Sequence, residues 1–115
     1  MREVNFYKTA DGKCPVEEYL RSLSAEVRSK IAKVFEIVRN MEVVPKQYFK
    51  RLDGTEFYEC RVAFRGNSYR MLGFFYGGNL IILTNGFMKK TQKTPRKEIK
   101  LCERRKKDFL ARGGK

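Results

Sequence analysis

Apolar residues recur at helical intervals in the first part of the chain and at strand intervals in the middle. Val27, Ile31, Val34, Phe35 and Val38 fall at offsets 0, 4, 7, 8 and 11. That spacing makes one stripe on an amphipathic helix. Ser24 stands before it as a cap, with Glu26 in the first turn. Upstream, Glu3 to Lys8 alternates weakly and predicts a short strand, and Asp11-Gly12 predicts a turn. Pro15, followed by Glu17 and Glu18, opens a short helix running to about Leu23. Two adjacent helices with so short a joint predict a helical hairpin.

After Pro45 the period changes to two. Tyr48 to Leu52 is a short strand closed by the turn Asp53-Gly54. From Phe57 to Phe64, the residues Tyr58, Cys60, Val62 and Phe64 share one face, and Phe57, Glu59, Arg61 and Ala63 the other. Gly66-Asn67 turns the chain into a strand from Tyr69 to Tyr76, and Gly77-Gly78-Asn79 turns it into another from Leu80 to Phe87. Short strands joined by tight turns predict an antiparallel meander. Thr94-Pro95 opens a last helix as cap and first residue, on which Ile99, Cys102 and Phe109 pack, with Leu110 beside Phe109. The fold class is therefore α+β: a small antiparallel sheet, an N-terminal helical hairpin and a C-terminal helix, in one domain over residues 1–115.

Charge adds a direction to this picture. The chain carries 26 Lys and Arg against 13 Asp and Glu. Residues 1–42 hold 8 basic and 7 acidic side chains, whereas residues 86–115 hold 12 and 3. The last part repels itself unless an anion compensates, and nucleic acid is the commonest such partner. An acidic protein or a membrane surface comes next. The three cysteines, Cys14, Cys60 and Cys102, are too few and too widely spaced for a disulfide framework, which predicts a reducing compartment. Cys60 falls on the core face. The start of the chain lacks an apolar leader, and the most apolar stretch, Met71 to Leu83, is too short to span a bilayer. A cytoplasmic protein without membrane association is expected.

Candidate chemistry is bounded by what is missing. There is no His and no Trp, so a Ser-His-Asp or Cys-His catalytic group is impossible. The carboxylates are scattered and no cysteine cluster exists, so neither metal nor cofactor is expected. Lys50 and Arg51 precede a turn, Glu59 and Arg61 share a strand face, Arg70 lies on the adjoining strand, and Lys89, Lys90 and Lys93 follow the last strand. Neighbouring strands lie about 5 Å apart, so Arg61 and Arg70 could reach one phosphate if they face the same side. A solvated strand face or loop explains each of these charges equally well. For the run Arg104-Arg105-Lys106-Lys107, the simpler reading is the preference of helix C-termini for cations. Phe87, beside the lysine pair, is the candidate aromatic for stacking on a base.

The strings Lys50-Arg51-Leu52-Asp53-Gly54, Phe57-Tyr58-Glu59-Cys60-Arg61-Val62 and Ser68-Tyr69-Arg70 resemble those of the RelE/HigB toxins. So does Gly86-Phe87-Met88-Lys89-Lys90-Thr91-Gln92-Lys93-Thr94-Pro95, the most specific of them. Within that superfamily the chain is most similar to the phage-derived, HigB-like branch. The resemblance implies the RelE-like, microbial-ribonuclease-like toxin fold and a type II toxin–antitoxin system. It implies a toxin that enters the ribosomal A site on the small subunit, contacts ribosomal RNA and cuts mRNA. It also implies a cognate antitoxin, either acidic or with a helix-turn-helix. Cleavage in the superfamily is metal-independent attack of the 2′-OH on the adjacent phosphate. Carried over by position, Arg70 would contact the scissile phosphate, Lys89 and Lys90 would be catalytic basic residues, and Arg61 a second basic position. Glu59 falls where some relatives have Lys, and so either serves as base or orients Arg61. Lys50, Arg51, Lys93 and Phe87 would bind RNA. Two other readings fit the same features: a ParE-like inhibitor of gyrase, and a non-catalytic module that binds ribosomes or RNA.

Overall fold

In the computed structural model, which describes residues 1–115, the elements are β1 (Glu3–Phe6), α1 (Pro15–Arg21), α2 (Ala25–Asn40), β2 (Phe49–Arg51), β3 (Tyr58–Phe64), β4 (Asn67–Tyr76), β5 (Leu80–Met88) and α3 (Arg96–Ala111). The five strands form one sheet in the order β1-β5-β4-β3-β2. It is an α+β fold, with helices on both faces of the sheet. Val27, Ile31, Val34, Phe35 and Val38 of α2 and Val16 of α1 are buried against Cys60, Val62, Tyr69, Met71, Ile81 and Leu83. On the opposite face, Cys102 and Phe109 of α3 pack with Leu72, Phe74 and Ile82. Strand alternation decides this division, since successive side chains leave opposite faces of the sheet.

Local chemistry explains most boundaries. The Ser24 side chain accepts a hydrogen bond from the Val27 amide, capping α2. Arg2 closes the other end of that helix. Its guanidinium donates to the carbonyls of Val38, Met41 and Glu42 at 3.1, 2.6 and 2.8 Å. The β3–β4 hairpin turns on Arg65 and Gly66, one residue earlier than the sequence predicts. Both have positive φ, 49° and 80°, as a two-residue turn of the mirror-image type requires.

Four expectations need correction. The sheet is not a pure meander, because β1 pairs parallel with β5, Glu3 opposite Leu80 through Phe6 opposite Leu83. A parallel pair needs a long connection rather than a turn, and here all of α1 through β4 intervenes. Thr94 does not cap α3: Pro95 occupies the cap position without a side-chain bond, and the Thr94 hydroxyl is committed to Glu59. Leu110 does not pack beside Phe109 but is 47% exposed. The basic run 104–107 also falls short of the helix end, whose last turn carries no basic residue. Within that run Arg105 donates to the Thr84 carbonyl at 2.7 Å and Lys106 pairs with Glu56. No helix is long and apolar enough to cross a membrane.

Candidate functional site

The antiparallel register brings the strand cations together. Arg61 on β3 stands directly opposite Arg70 on β4, and Arg70 stands opposite Phe87 on β5. Glu59, two residues before Arg61, therefore shares their face and stands opposite Lys50 on β2. This is the face that α3 covers, and the group lies where that helix begins.

Glu59 is the centre of the group. It is fully buried, at 0% exposure. Its Oε1 lies 3.0 Å from Nε of Arg61, 3.2 Å from Nε of Arg70 and 3.6 Å from Nζ of Lys89. Its Oε2 accepts a hydrogen bond from the Thr94 hydroxyl. A buried carboxylate survives only when paired and hydrogen-bonded, and here four side chains supply that, from β3, β4, the residue after β5 and the α3 entry. The carboxylate fixes the cations in return. Arg61 is held by Glu59 and by the Lys46 carbonyl at 3.4 Å.

Arg70 is less completely satisfied. One of its terminal nitrogens donates to the Tyr69 carbonyl at 3.3 Å. Its Nε–H is near Glu59 but not aimed at it, and is left buried without a hydrogen-bond partner. Burial lowers its guanidinium pKa, against the opposing pull of Glu59, and Arg61 adds like-charge repulsion in the same direction as burial. The Ser68 hydroxyl, two residues away on the same face, is also buried and unpartnered. Both residues line a cleft of about 400 Å³ with Lys89, Lys90, Thr91 and Gln92. The chain therefore offers an anion a cationic cleft lined by Arg70, Lys89 and Lys90.

The remaining candidates are distributed around this group. Lys90 is exposed at the cleft, Lys93 is exposed in the loop beyond it, and Lys89 is nearly enclosed, with 8% of its side chain exposed. Lys50 is half-buried, opposite Glu59 but without an ion pair to it. Arg51 is exposed and lines a separate cleft with Phe57, Ile99 and Glu103. Phe87 is half-buried, packed with the α3 core rather than standing free. Cys60 points to the other face, 2% exposed, where burial pushes its thiol up to about 12. Sequence reasoning missed Ser68, and it took Thr94 for a helix cap. A threonine before a proline carries that signal as strongly as any, and nothing local links it to Glu59. A single carboxylate among three cations repels a divalent cation, and nowhere do three His, Cys, Asp or Glu side chains converge.

Residues 18–107, from α1 to most of α3, match the family described as Phage derived protein Gp49-like (DUF891). The chain belongs to that family. It is a toxin-like family related to RelE, and toxins of this kind are generally partnered with an antitoxin. The Gp49-like match spans Glu59, Arg61, Arg70, Lys89, Lys90 and Thr94, and leaves β1 outside it. No curated protein matches the chain.

Proposed function

We propose that this Gp49-like chain is a HigB-like toxin of a type II toxin–antitoxin system and cuts mRNA on the ribosome. The observation that carries the reading is the convergence of Arg61, Arg70 and Lys89 on one point beside the cleft that holds Lys90. Phosphoryl chemistry without metal depends on placed positive charge, and Arg suits bidentate phosphate contact better than Lys. In the proposed reaction the 2′-OH gives its proton to solvent and its oxygen bonds to phosphorus as the bond to the 5′ oxygen breaks. The products are a 2′,3′-cyclic phosphate and a 5′-OH. Arg70 and Arg61 bind the phosphate oxygens, and Lys90, the exposed amine of the cleft, protonates the departing 5′ oxygen.

Of the two roles open to Glu59, its burial favours orienting the arginines, since both oxygens are engaged and neither reaches solvent. Lys50 and Lys93 extend the cationic track for RNA. The outer side of α3 exposes Arg96, Lys97, Lys100, Arg104 and Lys107, a surface suited to ribosomal RNA or an acidic antitoxin. Induction of the chain in cells, with primer extension on transcripts, tests the reading. Cuts at ribosome-occupied codons are expected, and their loss with Arg70→Ala and Lys90→Ala. Intact transcripts in arrested cells, with Arg70→Ala equally toxic, would refute it.

A further inference from the structure

We infer that Glu59 is the resident counter-ion of this phosphate site, filling part of the place of a phosphodiester oxyanion and setting the site's charge one unit lower. The inference rests on the reading that the cleft takes an RNA phosphate. A carboxylate and a phosphate offer cations the same kind of charged oxygen acceptor, and Oε1 of Glu59 is where three cations meet. No other carboxylate pairs with Arg61, Arg70 or Lys89. Glu56 pairs with Lys106, Glu26 with Arg65, and Glu98 accepts from Asn85. Three cations against one carboxylate leave an excess of two positive charges in a half-buried place. The buried Oγ of Ser68, beside Arg70 in the cleft wall, is left without a partner while Glu59 alone fills the site.

That excess has a chemical consequence. A phosphodiester carries one negative charge in the ground state and gains a second as the 2′ oxygen attacks. An excess of positive charge attracts the doubly charged transition state more than the singly charged substrate, and only that difference accelerates the reaction. Without Glu59 the site would hold the ground-state diester more tightly, but Arg61, Arg70 and Lys89 would lose the acceptor that fixes their positions, and turnover would fall. Glu59 thus acts through Arg61, Arg70 and Lys89 as a positioning residue that also weakens the hold on the substrate.

Inorganic sulfate, compared with chloride at constant ionic strength, probes this without requiring cleavage. Glu59→Gln should bind sulfate at least about tenfold more tightly than the unmodified chain, and sulfate alone should raise its melting temperature. Adding Arg70→Ala to Glu59→Gln should abolish the gain. If Glu59→Gln does not fold in chloride, sulfate should restore folding. Equal sulfate affinity in the two chains, a gain that survives Arg70→Ala, or a variant that sulfate does not restore would overturn the inference. In RNA cleavage, Glu59→Gln should lower KM and kcat together, and a loss of kcat at unchanged KM would also count against it. Sulfate binding as expected in a chain that cuts no RNA would sink the nuclease reading and leave the counter-ion in place.

Discussion

Replacing Thr94 with valine keeps the shape of the side chain and removes the one hydrogen bond that reaches Oε2 of Glu59. The carboxylate is fully buried, so water does not replace the lost donor without opening the start of α3. Hydrogen bonds to charged groups contribute about 1.5–3 kcal/mol, and a buried acceptor left unmet costs in the same range. A loss of about 2 kcal/mol is therefore expected. In a domain near 100 residues this lowers the melting temperature by roughly 8 °C. Thr94→Ser keeps the hydroxyl and should stay within about 1 kcal/mol of the unmodified chain. Thermal and urea unfolding of the two variants make the comparison, because a lost methyl group and a lost hydroxyl then separate. Equal stability of the valine and serine variants would show that the Thr94–Glu59 bond does not hold the helix entry to the sheet.

Other consequences concern the sheet and the acid limb of stability. A methyl group at Gly73 would clash with the Ile82 backbone carbonyl oxygen, whereas one at Gly86 would meet the ring of Tyr19 first. Gly73→Ala should cost about 3 kcal/mol in denaturant unfolding whatever side chain is trimmed nearby, while Gly86→Ala should become nearly neutral in a Tyr19→Ala background. Hydrogen bonds from Arg112, and then Tyr7, hold the Asp108 carboxyl below its ordinary value of 3.8. A depressed folded pKa means that the contribution is complete above about pH 4 and is lost as pH falls through the lower folded value. An NMR titration should find Asp108 below 3.8 and moving back up in Arg112→Ala.

The parts of the fold that were legible in the sequence were those set by local periodicity. The α2 stripe from Val27 to Val38 is buried throughout, because 3.6-residue spacing alone decides which residues share a helix face. The β3 alternation likewise separated Cys60 and Val62 from Glu59 and Arg61, with the former in the core under α2. Pairings between distant segments were not legible. β1 finds β5 across most of the chain, and Thr94 finds Glu59 over a separation of 35 residues. Neither leaves a local pattern. Leu110 looked like a core position because it follows Phe109, but neighbours on a helix point about 100° apart, and only Phe109 faces the sheet. For the candidate site, residue types singled out the cations, and the register then set Arg61 opposite Arg70. What no composition could reveal was that their charges meet on a buried carboxylate.

Cleavage by the purified chain of an mRNA positioned on ribosomes is the most direct test of the central claim. The unmodified chain should leave a 2′,3′-cyclic phosphate and a 5′-OH, and should spare an mRNA carrying 2′-deoxyribose at the cut nucleotide. Arg70→Ala should cut about 10²–10³ more slowly. It should remain folded, since Glu59 keeps Arg61, Lys89 and Thr94 as partners. A folded Arg70→Ala that cuts at the unmodified rate, or an unmodified chain that leaves ribosome-bound mRNA intact, would contradict it.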